Sequence, residues 1–213
     1  MKLCIETSTR MLSLSLVNNS VNNREIAKVE ILAQKPYSQN IALAVDFMLK
    51  SVARKIQNIS EVYAGTGPGS FTGIRVGLTF ANTLHQFLGI PLLGIPTLDL
   101  LAFSSGKWYN PTIVFLKSRR DEVFCSFYCN GNRKADYMVV KMDDFRTFIE
   151  KNNPEFLVST EDGFEEFGEL INQFPSCHII RIYPHASALV LLAREKGLKP
   201  RPEFLHPMYL RGF

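Results

Sequence analysis

The chain has 213 residues with a formal net charge of +4 at pH 7, and 46% of the residues are hydrophobic. That share is enough for a substantial core, and the length suits two small domains. The sequence excludes a membrane-spanning helix, which needs about 20 consecutive apolar residues. The first residues reach Glu6 without the apolar run of a signal peptide, so we expect a cytoplasmic protein with no membrane contact.

Hydrophobic periodicity predicts an α/β arrangement in the first half of the chain. The predicted strands are 2–6, 13–17, 24–33, 61–65 and 92–94, and the predicted helices are 38–56 and 72–88. The first helix carries a second apolar spot, Leu43 and Phe47, on the face opposite its main apolar stripe. Packing on its own sheet does not require that spot, so we expect Leu43 and Phe47 to contact another surface.

The pattern breaks at residues 103–111, which we interpret as the boundary between domains 1–105 and 106–213. In the second domain the predicted strands are 112–116, 123–129, 137–141, 156–159 and 178–182. The predicted helices are 143–150, 164–174 and 186–196. No internal repeat is visible in the sequence, and residues 207–211 are expected to pack back on the body of the protein.

A glycine-rich loop follows the predicted strand 61–65 and precedes the helix 72–88. Its structural residues are Gly65, Gly67, Pro68, Gly69, Ser70, Phe71 and Thr72. Three glycines and a proline within five residues indicate a sharp turn with backbone open to close approach. The loop matches neither common nucleotide motif, because it lacks the lysine of the P-loop and the spacing of the dinucleotide fingerprint.

A stripe of small residues runs along the helix after this loop. Gly73, Gly77 and Ala81 recur every fourth residue and therefore share one face. Two interior glycines destabilise a helix by roughly 1–2 kcal/mol relative to alanine, which is tolerated where another backbone must come close. The stripe predicts either close packing on the protein's own sheet or a seam with a partner helix.

Three motifs, at the start, middle and end of the chain, resemble the TsaB (YeaZ) family of bacterial accessory proteins in tRNA threonylcarbamoyladenosine modification. The motifs are Leu3-Cys-Ile-Glu-Thr-Ser-Thr9, Gly67-Pro-Gly-Ser-Phe-Thr-Gly-Ile-Arg75 followed by Gly89-Ile-Pro-Leu-Leu-Gly94, and Pro207-Met-Tyr-Leu-Arg211. Glu6 stands where the family usually has aspartate. The resemblance implies two tandem ribonuclease H-like domains of the actin-like ATPase (ASKHA) class, the second smaller and degenerate.

The resemblance also implies a scaffold role in a complex with the catalytic subunit TsaD and the ATPase TsaE. The N-terminal domain would carry the partner interface, formed by Leu43, Phe47, Gly73, Arg75, Gly77 and Ala81. Without TsaD, the same face would pair two copies in a homodimer. The basic segments contain no recognised nucleic-acid motif, so we expect tRNA to be reached through the complex rather than by this chain alone.

The sequence lacks several residues that an active enzyme of this class needs. Glu6, Thr7, Ser8 and Thr9 resemble a vestigial phosphate loop, although a strand-end turn satisfied by its own hydroxyls is the alternative. The second half has no glycine-rich loop to match it. By resemblance, the two metal-binding histidines of TsaD align with Thr97 and Leu101. We therefore predict no catalytic residue, no metal and no cofactor; the alternative is a stand-alone actin-fold phosphotransferase or ATPase.

Overall fold

The computed structural model describes residues 1–20, 22–32, 41–119 and 121–210, which form two compact units. Unit 1 contains Met1–Thr97 and Pro184–Met208, and the described part of unit 2 contains Leu98–Tyr183, Tyr209 and Leu210. The predicted boundary at residue 105 is therefore wrong in two places. Residues 98–105 belong to unit 2, and residues 184–208 return to unit 1. The break in pattern at 103–111 marks the end of a helix rather than the end of a domain.

Unit 1 is built on a five-stranded sheet. Its strands are β1 (Lys2–Glu6), β2 (Met11–Val17), β3 (Glu25–Leu32), β4 (Glu61–Gly65) and β5 (Leu92–Ile95), in the order β3-β2-β1-β4-β5. The first three strands are antiparallel, whereas β4 and β5 run parallel to β1. All five predicted strands are present, with bounds that differ by at most two residues.

Helices α1 (Ile41–Ser51) and α2 (Phe71–Leu88) pack on this sheet and enclose the main core of unit 1. The helix predicted at 38–56 ends earlier than expected, because Ala53 adopts a positive φ of 52°; residues 38–40 lie outside the described part of the chain. Ser70 caps α2 by accepting the Gly73 N–H at 3.2 Å, and Gly89 ends it in the left-handed conformation.

Unit 2 is built on a six-stranded sheet that packs against two amphipathic helices. Its strands are β6 (Thr112–Lys117), β7 (Glu122–Cys129), β8 (Asn132–Arg133), β9 (Met138–Lys141), β10 (Phe156–Ser159) and β11 (His178–Arg181). Its helices are α3 (Thr97–Ser104, from Leu98 onward), α4 (Met142–Asn152) and α5 (Glu161–Ile171). The sequence did not predict α3, because Leu98, Leu100, Leu101 and Ala102 are all buried and leave no polar face to reveal a helical period.

The two units share one topology. Unit 2 has the order β11-β10-β6-β7-β8, which corresponds strand by strand to β5-β4-β1-β2-β3 in unit 1. In both, antiparallel strands are followed by a helix, a parallel strand, a second helix and another parallel strand. A structural repeat is therefore present although no repeat is visible in the sequence. The last helix, α6 (Ala188–Glu195), packs against β4 in unit 1. No helix among the described residues is long and apolar enough to cross a membrane.

Candidate functional site

The glycine-rich loop lies directly on the segment that follows β1. The Ser70 N–H donates to the Ser8 carbonyl at 2.7 Å. A Cβ on Gly69 would overlap that same carbonyl, and Gly69 also has a φ of 154°, which favours glycine. The loop therefore needs its glycines for close approach to this chain's own backbone.

The small-residue stripe continues this contact along α2. A Cβ on Gly73 would overlap the Thr7 carbonyl, while the Thr7 hydroxyl donates to the Gly73 carbonyl at 2.8 Å. A Cβ on Gly77 would overlap the Thr7 hydroxyl and lie 3.3 Å from a methyl of Ile5. Ala81 is completely buried in the core of unit 1. The interpretation of Gly73, Gly77 and Ala81 as a partner seam is therefore wrong, because the stripe packs on its own sheet.

Glu6, the last residue of β1, is a completely buried carboxyl group. Its Oε1 accepts the Ser8 N–H at 2.6 Å and a short hydrogen bond from the Ser8 hydroxyl, whereas Oε2 has no hydrogen-bond partner among the described residues. Burial raises the pKa of Glu6 to about 7, although the hydrogen bonds from Ser8 and the Thr7 backbone oppose the rise. Burial therefore shifts this carboxyl towards its protonated form, compared with an ordinary glutamate.

A chain of hydroxyls connects Glu6 to the glycine-rich loop. The Gly67 N–H donates to the Thr97 hydroxyl at 3.2 Å, and this hydroxyl donates to Ser8 Oγ at 2.8 Å. The Thr97 N–H returns a bond to the Gly67 carbonyl at 2.7 Å. The network thus joins the carboxyl ends of β1, β4 and β5. The sequence analysis considered Thr97 only as the residue that aligns with a metal-binding histidine of TsaD, and it did not predict this role.

The segment interpreted as a vestigial phosphate loop, which follows β1, is buried and has its polar groups bonded within the chain. Thr7, Ser8 and Thr9 are buried, with 1%, 1% and 8% of their surface exposed. The Ser8 N–H and hydroxyl both serve Glu6, and Thr9 Oγ1 accepts the Met11 N–H at 3.3 Å. The geometry is that of a strand-end turn satisfied by its own groups. An anion at this position would have to displace the glycine-rich loop.

The turn of unit 2 that corresponds to the glycine-rich loop, between β10 and α5, carries acidic groups. Strand β10 ends at Ser159, whose hydroxyl donates to the Phe115 carbonyl at 2.6 Å. Gly163 packs on Ser159, and the first turn of α5 contains Glu161 and Asp162. Carboxylates complement the positive end of a helix and oppose the binding of phosphate there. Among the described residues, no group of three His, Cys, Asp or Glu side chains is arranged to hold a metal ion.

The remaining predicted interface residues lie at the surface of unit 1. Leu43 and Phe47 on α1 are 70% and 66% exposed, and the Asp46–Lys50 ion pair of 2.7 Å lies on the same helix. Arg75 is exposed on α2, where its guanidinium stacks 3.9 Å from the centre of the Phe71 ring. These two helices contact each other, so they form one continuous outer layer.

A second polar cluster fastens the returning segment 184–208 to the sheet of unit 1. Glu30 Oε1 lies 2.7 Å from His185 Nδ1 and accepts the Ser13 hydroxyl at 3.1 Å. The Ala186 N–H in turn donates to Ser13 Oγ at 2.9 Å. Lys28 forms an ion pair with Glu30 Oε2 at 3.2 Å. Sequence reasoning missed this cluster because its two halves, on β2–β3 and on the returning segment, lie more than 150 positions apart in the chain.

The end of the returning segment, up to Met208, also packs within unit 1. Asn82 of α2 donates to the Leu205 carbonyl at 2.9 Å and accepts the Leu205 N–H at 2.8 Å. The Met208 N–H donates to the Thr66 carbonyl at 2.8 Å. The prediction that residues 207–211 pack back on the body is confirmed for Met208, whereas residue 211 lies outside the described part.

Solved structures with this arrangement identify the fold class. A polyphosphate/ATP-glucomannokinase from Arthrobacter matches with a TM-score of 0.51 at 10% identity, over 92% of this chain and 97% of its own. A Pseudomonas aeruginosa protein with similarity to peptidase YeaZ matches with a TM-score of 0.74 at 21% identity, over 99% of both chains. The fold is thus the predicted one, two tandem ribonuclease H-like domains of the actin-like class.

The family follows from sequence comparison. The family model described as TsaD, tRNA N6-adenosine threonylcarbamoyltransferase, matches residues 26–176. The tRNA threonylcarbamoyladenosine biosynthesis protein TsaB of Bacillus subtilis is 31% identical over 138 residues, which are 64% of this chain and 58% of that protein. The chain spans about half the length of the curated relatives that it matches, 58% and 39% for the first two. The chain belongs to this TsaD-related family, in its TsaB/YeaZ group.

Proposed function

We propose that the chain is a non-catalytic subunit in the biosynthesis of threonylcarbamoyladenosine in tRNA, where it pairs with TsaD and acts together with TsaE. Family membership and the function named for the TsaB relatives support a role in threonylcarbamoyladenosine biosynthesis. The observation that carries the non-catalytic role is the closure of residues 7–9 beneath the glycine-rich loop. We infer from this closed turn that it leaves no room for the phosphate that an active enzyme of this fold would bind.

Two further features support the loss of catalysis. Glu6 directs its hydrogen bonds inward, so its Oε1 binds Ser8 instead of a ligand. In unit 2, the turn that corresponds to the glycine-rich loop carries Glu161 and Asp162, whose negative charge opposes phosphate at the start of α5. We take the closed turn at residues 7–9 and this acidic turn together as support for the loss of phosphate binding.

The exposed layer of α1 and α2 is the proposed TsaD interface. Leu43 and Phe47 on α1 supply the apolar contact, and Arg75 supplies a positive charge on α2. Large exposed apolar side chains one helical turn apart are typical of interaction sites. In the absence of TsaD, we propose that the same layer pairs two copies of the chain in the cytoplasm. Transfer RNA would be reached through the complex.

The test is co-purification of TsaD from the same organism with a double variant, Leu43→Asp and Phe47→Asp. We expect TsaD binding to weaken at least about 100-fold, because two buried hot-spot side chains commonly contribute 2 kcal/mol or more each. Leu191→Asp is the matched control, since Leu191 is 44% exposed on α6, away from this layer. Unchanged binding by the double variant with an intact fold would place the interface elsewhere.

Function is read out separately, by mass spectrometry of tRNA nucleosides from cells that depend on this chain. Threonylcarbamoyladenosine should fall with the double variant and persist with Leu191→Asp. Titration of the isolated chain with ATP and Mg²⁺ tests the non-catalytic role. Turnover of about 1 per second, at the low end of ordinary enzymes, that disappeared with Thr9→Ala would favour a stand-alone ATPase or phosphotransferase.

A further inference from the structure

The outer edge of β5 is only partly paired. Leu92 forms both backbone hydrogen bonds with Arg201 of the returning segment, each 2.8 Å long. On the inner side, the carbonyls of Pro91 and Ile95 accept the N–H groups of Val62 and Thr66. Alternate residues of a strand point their backbone groups in opposite directions. The N–H and C=O of Gly94 therefore face the same outer edge as those of Leu92.

No described residue hydrogen-bonds these two groups of Gly94. The antiparallel register that pairs Leu92 with Arg201 would bring Lys199 opposite Gly94, but the described chain forms no such bond. Pro200 and Pro202 flank Arg201 and restrict the backbone conformation of the segment on both sides of that pair. The returning segment thus covers one position of the edge and leaves the next one open.

A cleft of about 430 Å³ lies beside this open position, within unit 1. Leu198 and Phe204 line it with side chains that are 46% and 52% exposed, and Leu205 packs over Gly94 on one face. Lys199 and Arg201 border it with exposed cationic side chains. The volume falls within the about 300–1,000 Å³ of ordinary ligand sites. The cleft combines a free strand edge, an apolar wall and positive charge.

We propose that this cleft binds an extended acidic peptide segment of another protein, which adds to β5 at Gly94 as a short strand. The free N–H and C=O of Gly94 pair with the peptide backbone, an apolar side chain lies between Leu198 and Phe204, and carboxylates meet Lys199 and Arg201. This mode of recognition takes affinity from main-chain hydrogen bonds and specificity from the flanking pockets. The pairing of Arg201 with Leu92 is direct evidence that the edge accepts extended backbone. Glu203 is the acidic residue of the lining, and the two cations outnumber it.

The probe is a fluorescein-labelled peptide, Gly-Glu-Val-Leu-Glu-Gly, titrated into the isotope-labelled full chain. We expect the Gly94 amide resonance to shift, and its hydrogen exchange to slow at least about tenfold at saturation. A peptide methylated on its central backbone nitrogens should bind at least about tenfold more weakly, as should the variant Lys199→Glu/Arg201→Glu. Lys50→Glu, a charge reversal on the distant helix α1, is the matched control and should leave binding unchanged.

Several results would overturn the proposal. Absence of a Gly94 shift at millimolar peptide would show that the edge is not a docking site. Equal binding of the methylated peptide would exclude strand addition, and a shift that followed protein concentration alone would assign the cleft to a second copy of the chain. The Asn82 side chain hydrogen-bonds Leu205 of the returning segment. A simultaneous shift of its side-chain amide resonance would mean that the peptide displaces this segment instead of binding at the open edge. Circular dichroism confirms that each variant remains folded.

Discussion

Gly65 and Glu6 occupy complementary space at the ends of β4 and β1. A Cβ on Gly65 would overlap Oε2 of Glu6 and lie 2.8 Å from its carboxyl carbon. The buried carboxyl group therefore fills the volume that a side chain at residue 65 would take. Glycine at position 65 is therefore required by the long side chain of Glu6.

The first prediction tests this fit. Gly65→Ala should lower the free energy of unfolding by about 1–3 kcal/mol, the usual effect of overpacking. Glu6→Asp shortens the carboxylate and should relieve the clash, so the double variant should be more stable than Gly65→Ala alone. Urea unfolding of the wild type, both single variants and the double variant measures the coupling. Strictly additive effects would show that the two residues do not share this space.

The second prediction concerns pH. The pKa of Glu6 is about 7 in the folded chain and 4.5 ordinarily, so the folded state holds its proton more tightly than the unfolded state. The resulting stabilisation is fully present below about pH 4.5 and is lost as pH rises towards 7, by roughly 3 kcal/mol in all. Glu6→Gln should remove this slope from urea unfolding measured across the interval. Glu165→Gln, at an exposed position, serves as control and should keep the pH dependence of the wild type. If the stability of Glu6→Gln also followed pH as the wild type does, the slope would not come from Glu6.

The third prediction concerns the glycines of α2. On a free helix face, glycine to alanine would stabilise by about 0.5–1 kcal/mol. Gly73→Ala should instead destabilise by about 1–3 kcal/mol, because the atom in its way is the Thr7 backbone carbonyl, which cannot rotate aside. Gly77→Leu should destabilise more strongly. Thr79→Ala, at an exposed position of the same helix, is the control. A rise in melting temperature for Gly73→Ala would mean that the stripe does not face the sheet.

The fourth prediction concerns Glu30. Burial alone would raise the pKa of this carboxyl, but the hydrogen bonds from His185 and Lys28 outweigh it and lower the pKa below 4.5. The folded state therefore favours the carboxylate, so its stabilisation is present above about pH 4.5 and is lost as pH falls through the lowered pKa. Glu30→Gln should reduce stability by about 1 kcal/mol at most, since both partners are partly exposed and screened. The difference from wild type should vanish in acid; a difference that persists would point to packing rather than charge.

The sequence predicted the ordered elements of unit 1 well because their signals are local. A short apolar run marked β1, alternating apolar residues marked β2, and the glycine-rich loop marked the turn before α2. The exposed positions of Leu43 and Phe47 also followed from helical spacing alone. Their role in contacting a partner remains a prediction.

What the sequence did not reveal depends on contacts between distant segments. Spacing placed Gly73, Gly77 and Ala81 on one face of α2 but left open which surface that face meets. Only the structure brings the Thr7 carbonyl to Gly73. Helix α3 was missed because it is buried on all sides, and the Glu30–His185 contact joins residues 155 positions apart. The two units share their strand order, but no repeat in the sequence reveals it.

The division of the chain has a consequence for the order in which its parts can fold during synthesis. Unit 1 begins at the amino terminus, yet it includes Pro184–Met208 and the helix α6 that packs on β4. Nearly all of unit 2, Leu98–Tyr183, is continuous and emerges from the ribosome before that segment. Domains fold as their residues become available during translation. The second unit can therefore complete its core first. The first unit cannot be completed until Pro184–Met208 is synthesised, some 90 positions after Thr97, and until then part of its sheet stays uncovered.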